Sequence, residues 1–308
     1  MTHPYRFTIK SACGVFGFSR QAYYKGAVDG TAREDVALRL AGPQLLKARE
    51  RCPSLGCRSM YNEFGGQLPI GRDKSIRLFM DLGYRVRYPK RYGRATQAGT
   101  REFPNLLVKK EIDGINQVWQ GDMAHYLYGE GRFYTIYITD VYSQEIVGYG
   151  AYDSNRAEKY AEVMRMAVAG AAGDGSSLKG LIHHSDGGKQ YESGTYKELC
   201  SRHGILQSMC MYSYENPYAE KTNDLINNGY LNHWKPRTLK ELRACQRKAV
   251  TDHNTKRRKR ALGGLSPAQF KSKLKVMPEA GHTLKLKPYE PEQPKKRIIL
   301  EPNKSTVR

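Results

Sequence analysis

The sequence predicts an α/β protein: a mixed sheet flanked by helices, with helical segments before it and basic helices after it. Three observations carry that prediction. Helical periodicity with apolar faces dominates the first eighty or so residues, and β-branched and aromatic runs take over from Gln117. Those runs come as three strands in succession, then helix and strand alternate. Finally, three acids stand in distinctive settings: Asp122 in Trp119-Gln120-Gly121-Asp122, Asp186 in His183-His184-Ser185-Asp186-Gly187-Gly188, and Glu220 in Asn216-Pro217-Tyr218-Ala219-Glu220.

Length and charge bound the reading. A chain of 308 residues suits two domains plus tails. It carries 51 Lys+Arg against 30 Asp+Glu, a net +21. Cations that neutralise phosphates release counterions, so nucleic acid is the favoured partner. No apolar run approaches the roughly 20 residues of a membrane span, so no membrane partner is expected. The first residues lack the apolar stretch of a secretory signal, which points to the cytoplasm. The six cysteines lack the spacing of a disulfide framework or a zinc finger and read as reduced thiols.

Residues 8–25 read as a short helix, a turn at Gly17 and a second helix capped by Ser19. This resembles half of a helix-turn-helix, in which Arg20, Gln21 and Lys25 would face DNA; an ordinary small helical hairpin is the plainer alternative. Residues 32–83 read as helices, with Val36, Leu38, Leu40, Leu45 and Leu46 as an apolar face and a break at Cys52-Pro53-Ser54-Leu55-Gly56. Helices resume over 58–64 and 71–82. Ile76, Phe79 and Met80 are set for burial, leaving Arg58, Arg72, Lys74 and Arg77 for phosphate. Residues 84–101 form a basic linker: Arg85, Arg87, Lys90, Arg91, Arg94 and Arg101 alternate with Tyr84, Tyr88 and Tyr92, and no acid intervenes. Cations among aromatics suit a single strand or a backbone groove; a solvated linker is the plainer alternative.

Strands follow at 134–140 and 146–152, joined by a hairpin over 140–145. A helix spans 155–172, a short strand runs from Leu181 to the vicinity of Asp186, a helix covers 194–203, and 205–209 is a strand. The helix holding Glu220 runs to about residue 231. Asp122 and Asp186 are thereby placed at strand ends. Three antiparallel strands followed by alternating helix and strand fit an RNase H-like core. Residues 237–260 are helical and hold ten Lys/Arg against Glu241 and Asp252. Arg257, Arg258, Lys259 and Arg260 are the densest part. A further helix begins near Pro267. The expected division is a helix-turn-helix-like segment at 1–30, a helical DNA-binding domain and basic linker at 31–101, the catalytic core at 110–235, its basic helical extension at 236–275, and a flexible basic tail at 276–308.

Each acid alone has an ordinary reading. An Asp after a strand is often a turn former, and a helical Glu is often a surface residue. Together they are chemistry: carboxylates suit Mg²⁺ or Mn²⁺, bound through a few carboxylates plus substrate phosphates. Two such ions can clamp the attacking and leaving oxygens of a phosphodiester. Asp224, one turn after Glu220, is its nearby rival as third acid.

The motifs resemble a known family. The chain is similar to the second-frame, OrfB-type transposase of the insertion-sequence-three family, with a retroviral-integrase-like DDE core, over about residues 8–270. The resemblance rests on Trp119 with Asp122, Asp140-Val141-Tyr142-Ser143 with Ile146, His184-Ser185-Asp186 with Gly188, Gln190 and Tyr191, and Glu215-Asn216 with Ala219-Glu220. His253-Asn254 with Arg257 and Leu262, Pro267 with Phe270, Pro53 with Gly56 and Arg58, and Gly71-Arg72-Asp73-Lys74 extend it. The family's usual threonines beside the first aspartate are Gly121 and Ala124 here, and its Pro-His after Arg257 is Arg258-Lys259. Thirty-three residues separate Asp186 from Glu220, slightly fewer than usual, a shortening assigned to the loop at 210–214.

The resemblance implies Asp122, Asp186 and Glu220 as catalytic residues and as ligands of two Mg²⁺ (or Mn²⁺) ions per active site. It implies metal-dependent cleavage and strand transfer at insertion-sequence ends. Expected partners are DNA, as element ends and target, a homo-multimer on that DNA, and a first-frame, OrfA-type protein or a fusion with it. The alternatives are an RNase H-like metal-dependent nuclease and a catalytically decayed DNA-binding protein.

Overall fold

Polar caps and a glycine turn shape the start of the chain. A computed structural model describes residues 8–86, 102–129, 131–210 and 215–276, with 25–31 described by backbone alone. Helix α1 (Ile9–Val15) is capped by Thr8, whose hydroxyl accepts from the Ser11 amide at 3.1 Å. Gly17, at φ 70°, turns the chain. The Ser19 hydroxyl then accepts from the Ala22 amide at 3.1 Å and opens α2.

The expected short second helix is instead one helix of 32 residues, α2 (Arg20–Arg51). The boundary expected at residue 30 therefore falls inside a continuous helix. Gly26 and Gly30 each cost about 1 kcal/mol relative to alanine in a helix interior, too little to stop it. The expected apolar face is also corrected. Leu45 is buried, but Val36, Leu38, Leu40 and Leu46 are exposed. The packed stripe is Ala37, Ala41, Leu45 and Ala48, continued by Cys52 beyond the helix end. Its spacing of three and four keeps it on one face, and the small alanines admit close neighbours. Helices α3 (Cys57–Phe64) and α4 (Arg72–Asp81) follow as expected.

The sheet is the expected mixed one of five strands. Strands β1 (Val118–Tyr128), β2 (Gly131–Asp140) and β3 (Ile146–Tyr152) form an antiparallel meander. Helix α5 (Ala157–Gly173) returns the chain to β4 (Ile182–Ser185), parallel to β1. Helix α6 (Gly194–Arg202) leads to β5 (Leu206–Met209), parallel to β4, and the order across the sheet is β3-β2-β1-β4-β5. Trp119, Met123, Ile136 and Ile138 bury one face against α5 and α6. On the other face, Tyr126, Phe133 and Tyr137 share one apolar cluster with Leu45, Met60 and Phe79 of the helical segment. That cluster also takes in Ile226 and Tyr230, from α7 (Pro217–Ile226) and the π-turn Asn227–Leu231 that continues it into the last turn, α8 (Asn232–Trp234).

The C-terminal helices are packed onto this core. Helix α9 (Leu239–Thr255) lies along the edge strand β3. Its Asn254 amide donates to the Ile146 carbonyl at 2.9 Å and accepts from the Ile146 amide at 3.0 Å. Gln246 and Arg243 donate to the carbonyls of Gly150 and Ala151 at 3.0 and 2.9 Å. Helix α10 (Pro267–Val276) sets Phe270 against Tyr142, and Lys271 pairs with Glu145 at 2.6 Å and Asp174 at 3.0 Å. Arg51, at the end of α2, pairs with Asp252 of α9 and, at 2.5 Å, with Glu63 of α3. The tail at 277–308 and most of the basic linker, 87–101, lie outside the described residues. Among the described residues, no helix is long and apolar enough to cross a membrane.

Candidate functional site

Register brings the two aspartates together. The parallel pairing of β1 with β4 runs from Val118↔Ile182 to Gly121↔Ser185. Asp122 and Asp186 are the next residues on their strands. Asp186 follows the end of β4 as expected, but Asp122 lies in the middle of β1, because β1 continues as the partner of β2. The expected strand end is thus the end of one pairing, not of the strand.

Helix α7, which carries Glu220 in its first turn, is docked across β1 and β2 by polar side chains. Asn216 donates to the Gly121 carbonyl at 3.0 Å, and the Gln120 side-chain oxygen accepts from the Tyr218 amide at 2.8 Å. Thr222 meets Thr139 at 3.0 Å, and Asn227 meets Thr135 and Tyr137. The Asn223 amide donates to Asp122 Oδ2 at 2.8 Å, and the Met123 amide donates to Asp122 Oδ1 at 2.8 Å.

The electrostatics are those of crowded carboxylates. Burial, the negative charge of Asp186 and, more weakly, that of Glu220 push the Asp122 carboxyl up to about 7, against the hydrogen bonds from Met123 and Asn223. Burial also raises Asp186, whose one opposing bond comes from the Gly188 amide. A Cβ on Gly188 would stand 3.0 Å from Asp186 Oδ1, so the bare α-carbon permits that approach. Burial raises Glu220 too, although this side chain remains exposed. Asp224, the rival third acid, is exposed and accepts from the Asn228 amide at 2.6 Å.

Oxygen donors with uncompensated charge are the chemistry of a hard-cation site. The fit is one of donor type and charge. Among the described residues, no group of three His, Cys, Asp or Glu is gathered tightly enough to hold a metal ion.

Gly121, where the resembled family has threonine, now has a local reason. A Cβ there would stand 2.8 Å from the buried His183 ring. His184 is held by Ser208 at 2.9 Å, and Glu215 accepts from Asn105 at 3.1 Å. Burial pushes His184 down to about 4, and the nearby Glu215 offsets this only in part. Sequence reasoning gave Asn216, Asn223 and Gln120 no role. The signal available for Asn223 was its position three residues after Glu220 on one helix.

The basic residues divide by environment. Arg20, Gln21, Arg58, Arg72, Lys74, Arg77, Arg85, Arg258 and Arg260 are exposed. Lys74 pairs with Glu34 at 3.5 Å. The Lys25 side chain and Arg87, Lys90 and Arg91 lie outside the description. Arg257, expected on DNA, is turned inward: its guanidinium donates to Cys52 Sγ at 3.1 Å and meets the Tyr230 hydroxyl at 3.5 Å. It ties α9's end to the helical segment. Lys259 is half-buried, and burial with the charges of Lys221 and Arg257 pulls it down to about 7.

The integrase core domain family matches residues 113–212, a span that includes Asp122 and Asp186 and ends before Glu220. The insertion element IS600 uncharacterized 31 kDa protein of Shigella sonnei is 30% identical over 277 residues, 86% of this chain and 99% of that protein. The transposase for insertion sequence element IS904 of Lactococcus lactis subsp. lactis (strain IL1403) is 31% identical over 61% of this chain and 73% of its own length. The chain belongs to the insertion-sequence-three family of transposases. Transposase InsF for insertion sequence IS3A, from Escherichia coli (strain K12), is 28% identical over 66% of each chain. The function of this transposase is DNA transposition, and its core is the RNase H-like α/β fold of integrases. Among solved structures, the HTLV-2 integrase catalytic core domain in complex with magnesium superposes with a TM-score of 0.40 at 21% identity, covering 50% of this transposase and 94% of that chain. The simian T-cell lymphotropic virus intasome in complex with PP2A regulatory subunit B56 gamma gives 0.45 at 13% identity, covering 77% and 76%.

Proposed function

We propose that the transposase is a DDE polynucleotidyl transferase that cleaves and joins DNA at insertion-sequence ends through Asp122, Asp186 and Glu220. The observation that supports this reading is where the fold puts the acids: Asp122 and Asp186 follow the last pair of the β1–β4 register, the bonds of Asn216 and Tyr218 seat the start of Glu220's helix on β1, and burial, then Asp186 and lastly Glu220 raise the Asp122 carboxyl. Carboxylates brought together in a part-buried place call for a counter-charge. Asp122, Asp186 and Glu220 would hold two Mg²⁺ or Mn²⁺ ions. Such ions supply Lewis acidity and charge neutralisation for in-line displacement at phosphorus. Asn223 keeps Asp122 oriented, and the polar seat of α7 carries Glu220 to the aspartates. The exposed cations of α1–α4 and the 258–260 turn grip the phosphate backbone. A homo-multimer on paired ends, a first-frame OrfA-type partner for end selection, and a DNA-associated place in the bacterial cytoplasm complete the proposal, on the strength of family membership.

The test uses DNA carrying the element ends, with and without Mg²⁺. Asp122→Asn, Asp186→Asn and Glu220→Gln should each cut cleavage by about a thousandfold or more while leaving DNA binding near wild type. Asp224→Asn should leave cleavage intact. Wild-type cleavage by Glu220→Gln beside an inactive Asp224→Asn overturns the choice of third acid. Strand-transfer products distinguish a transposase from a plain nuclease.

A further inference from the structure

Tyr191 holds a hydroxyl that nothing among the described residues uses. The residue is 3% exposed, and its Oη is buried without a hydrogen-bond partner. Leaving such a group unpaired is unfavourable, so a native structure that keeps one requires a reason. The ring is held in place from several sides: Tyr160, Tyr196 and His183 stand 5.2, 5.4 and 5.7 Å away between centroids. Its backbone is pinned as well, the amide donating to the Gly188 carbonyl at 3.1 Å and the carbonyl accepting from Gln207 at 2.9 Å. The hydroxyl lies 3.5 Å from where a Cβ on Gly121 would sit, beside the backbone that leads into Asp122.

The neighbouring acid that lacks a side-chain donor among the described residues is Asp186. Both side chains flank the same glycine: a Cβ on Gly188 would be 3.0 Å from Asp186 Oδ1 and 3.7 Å from Tyr191 Cδ2. Asp122 has a side-chain donor in Asn223. Asp186 is bonded to the Gly188 amide and, among the described residues, has no side-chain donor. We propose that the Tyr191 hydroxyl is the positioning donor for the Asp186 carboxylate, engaged when the acids close around a cation. A phenol keeps its proton at neutral pH and so can donate to that carboxylate. The proposal rests on the cation reading of the three acids.

Tyr191→Phe keeps the ring and removes the hydroxyl. Mn²⁺ or Mg²⁺ is titrated onto the full-length chain by calorimetry, and melting is followed with EDTA and with the cation. In EDTA the variant should melt at or above wild type, because an unpaired hydroxyl is gone. Its cation affinity should fall by about tenfold or more, the usual scale for losing a partner that orients a metal ligand. A role in packing alone predicts the reverse pattern, lower melting in EDTA with unchanged affinity, and that result overturns the proposal. Asp186→Asn is the companion measurement. Full cation affinity in Asp186→Asn defeats the cation reading itself; lost affinity there with wild-type affinity in Tyr191→Phe defeats the Tyr191 role alone. If Tyr191→Phe does not fold, 3-fluorotyrosine at position 191 gives an independent answer. Its fluorine resonance should move on adding Mg²⁺ and stay still in the Asp186→Asn background; no movement in the wild-type background overturns the proposal.

Discussion

At pH 8 and without a cation, the fold holds Asp122 ionised in a part-buried place beside Asp186. Its carboxyl sits at about 7 in the folded chain against 3.8 ordinarily. Between those values the folded state holds a proton that the unfolded state has lost, so stability falls as pH rises through that window and stays lower above it. Asn at this position has no such proton. In EDTA, Asp122→Asn should therefore melt about 5 °C above wild type at pH 8, with the gap closing by pH 4; equal melting at pH 8 contradicts the charge argument. At this scale the places of the three acids on the sheet and on α7 were legible because each sits in a recognisable short motif. The docking bonds of Asn216, at the cap of α7, and of Asn223, within it, were not, since such amides look solvent-facing until the helix is docked. Arg257 misled for the related reason that a run of five cations, Lys256 to Arg260, hides which one turns inward.

Single elements show where periodicity informs and where it deceives. The strands were readable in order because β-branched and aromatic runs have few other uses. Helix α2 was not: the expected helix stopped at residue 25 with the next starting at 32, and its leucines suggested the wrong face. An alanine stripe carries little hydrophobic signal, yet it is what lets a helix lie close to its neighbours. Ala41 is fully buried and Leu46 is 55% exposed. Ala41→Leu should then cost about 1–3 kcal/mol by overpacking, and Leu46→Gln should stay within about 0.5 kcal/mol of wild type. Denaturant titration of both reads the difference, and a larger loss for Leu46→Gln restores the leucine face. The π-turn after α7 was equally invisible in sequence. Gly229 within it has no room for a side chain, because a Cβ would stand 2.7 Å from Ser54 Oγ of the helical segment.

Across the whole molecule, the helical segment, the sheet and the C-terminal helices share apolar clusters, so the divisions expected from composition do not separate independent cores. Charge composition foretold a nucleic-acid partner but not which cations are free for it. Arg258 and Arg260 are exposed, while Arg257 bridges to Cys52 and Tyr230. Replacing Arg258 and Arg260 together by alanine should flatten the slope of log affinity for DNA against log salt by about 1–2 with little change in melting. Arg257→Ala should lower melting and leave the slope nearly unchanged; a flattened slope for Arg257→Ala returns it to the DNA surface. The side chains along β3 have one more consequence. Asn254, Gln246 and Arg243 occupy backbone groups on that margin, and on the opposite one the Met209 amide of β5 donates to the Pro104 carbonyl. An open margin is where sheets of separate molecules fuse into a continuous ribbon. With β3 occupied in this way, the proposed multimer on DNA would be steered away from joining strand to strand there and toward contacts between helices and loops, which can form and release without disturbing the sheet that bears the aspartates.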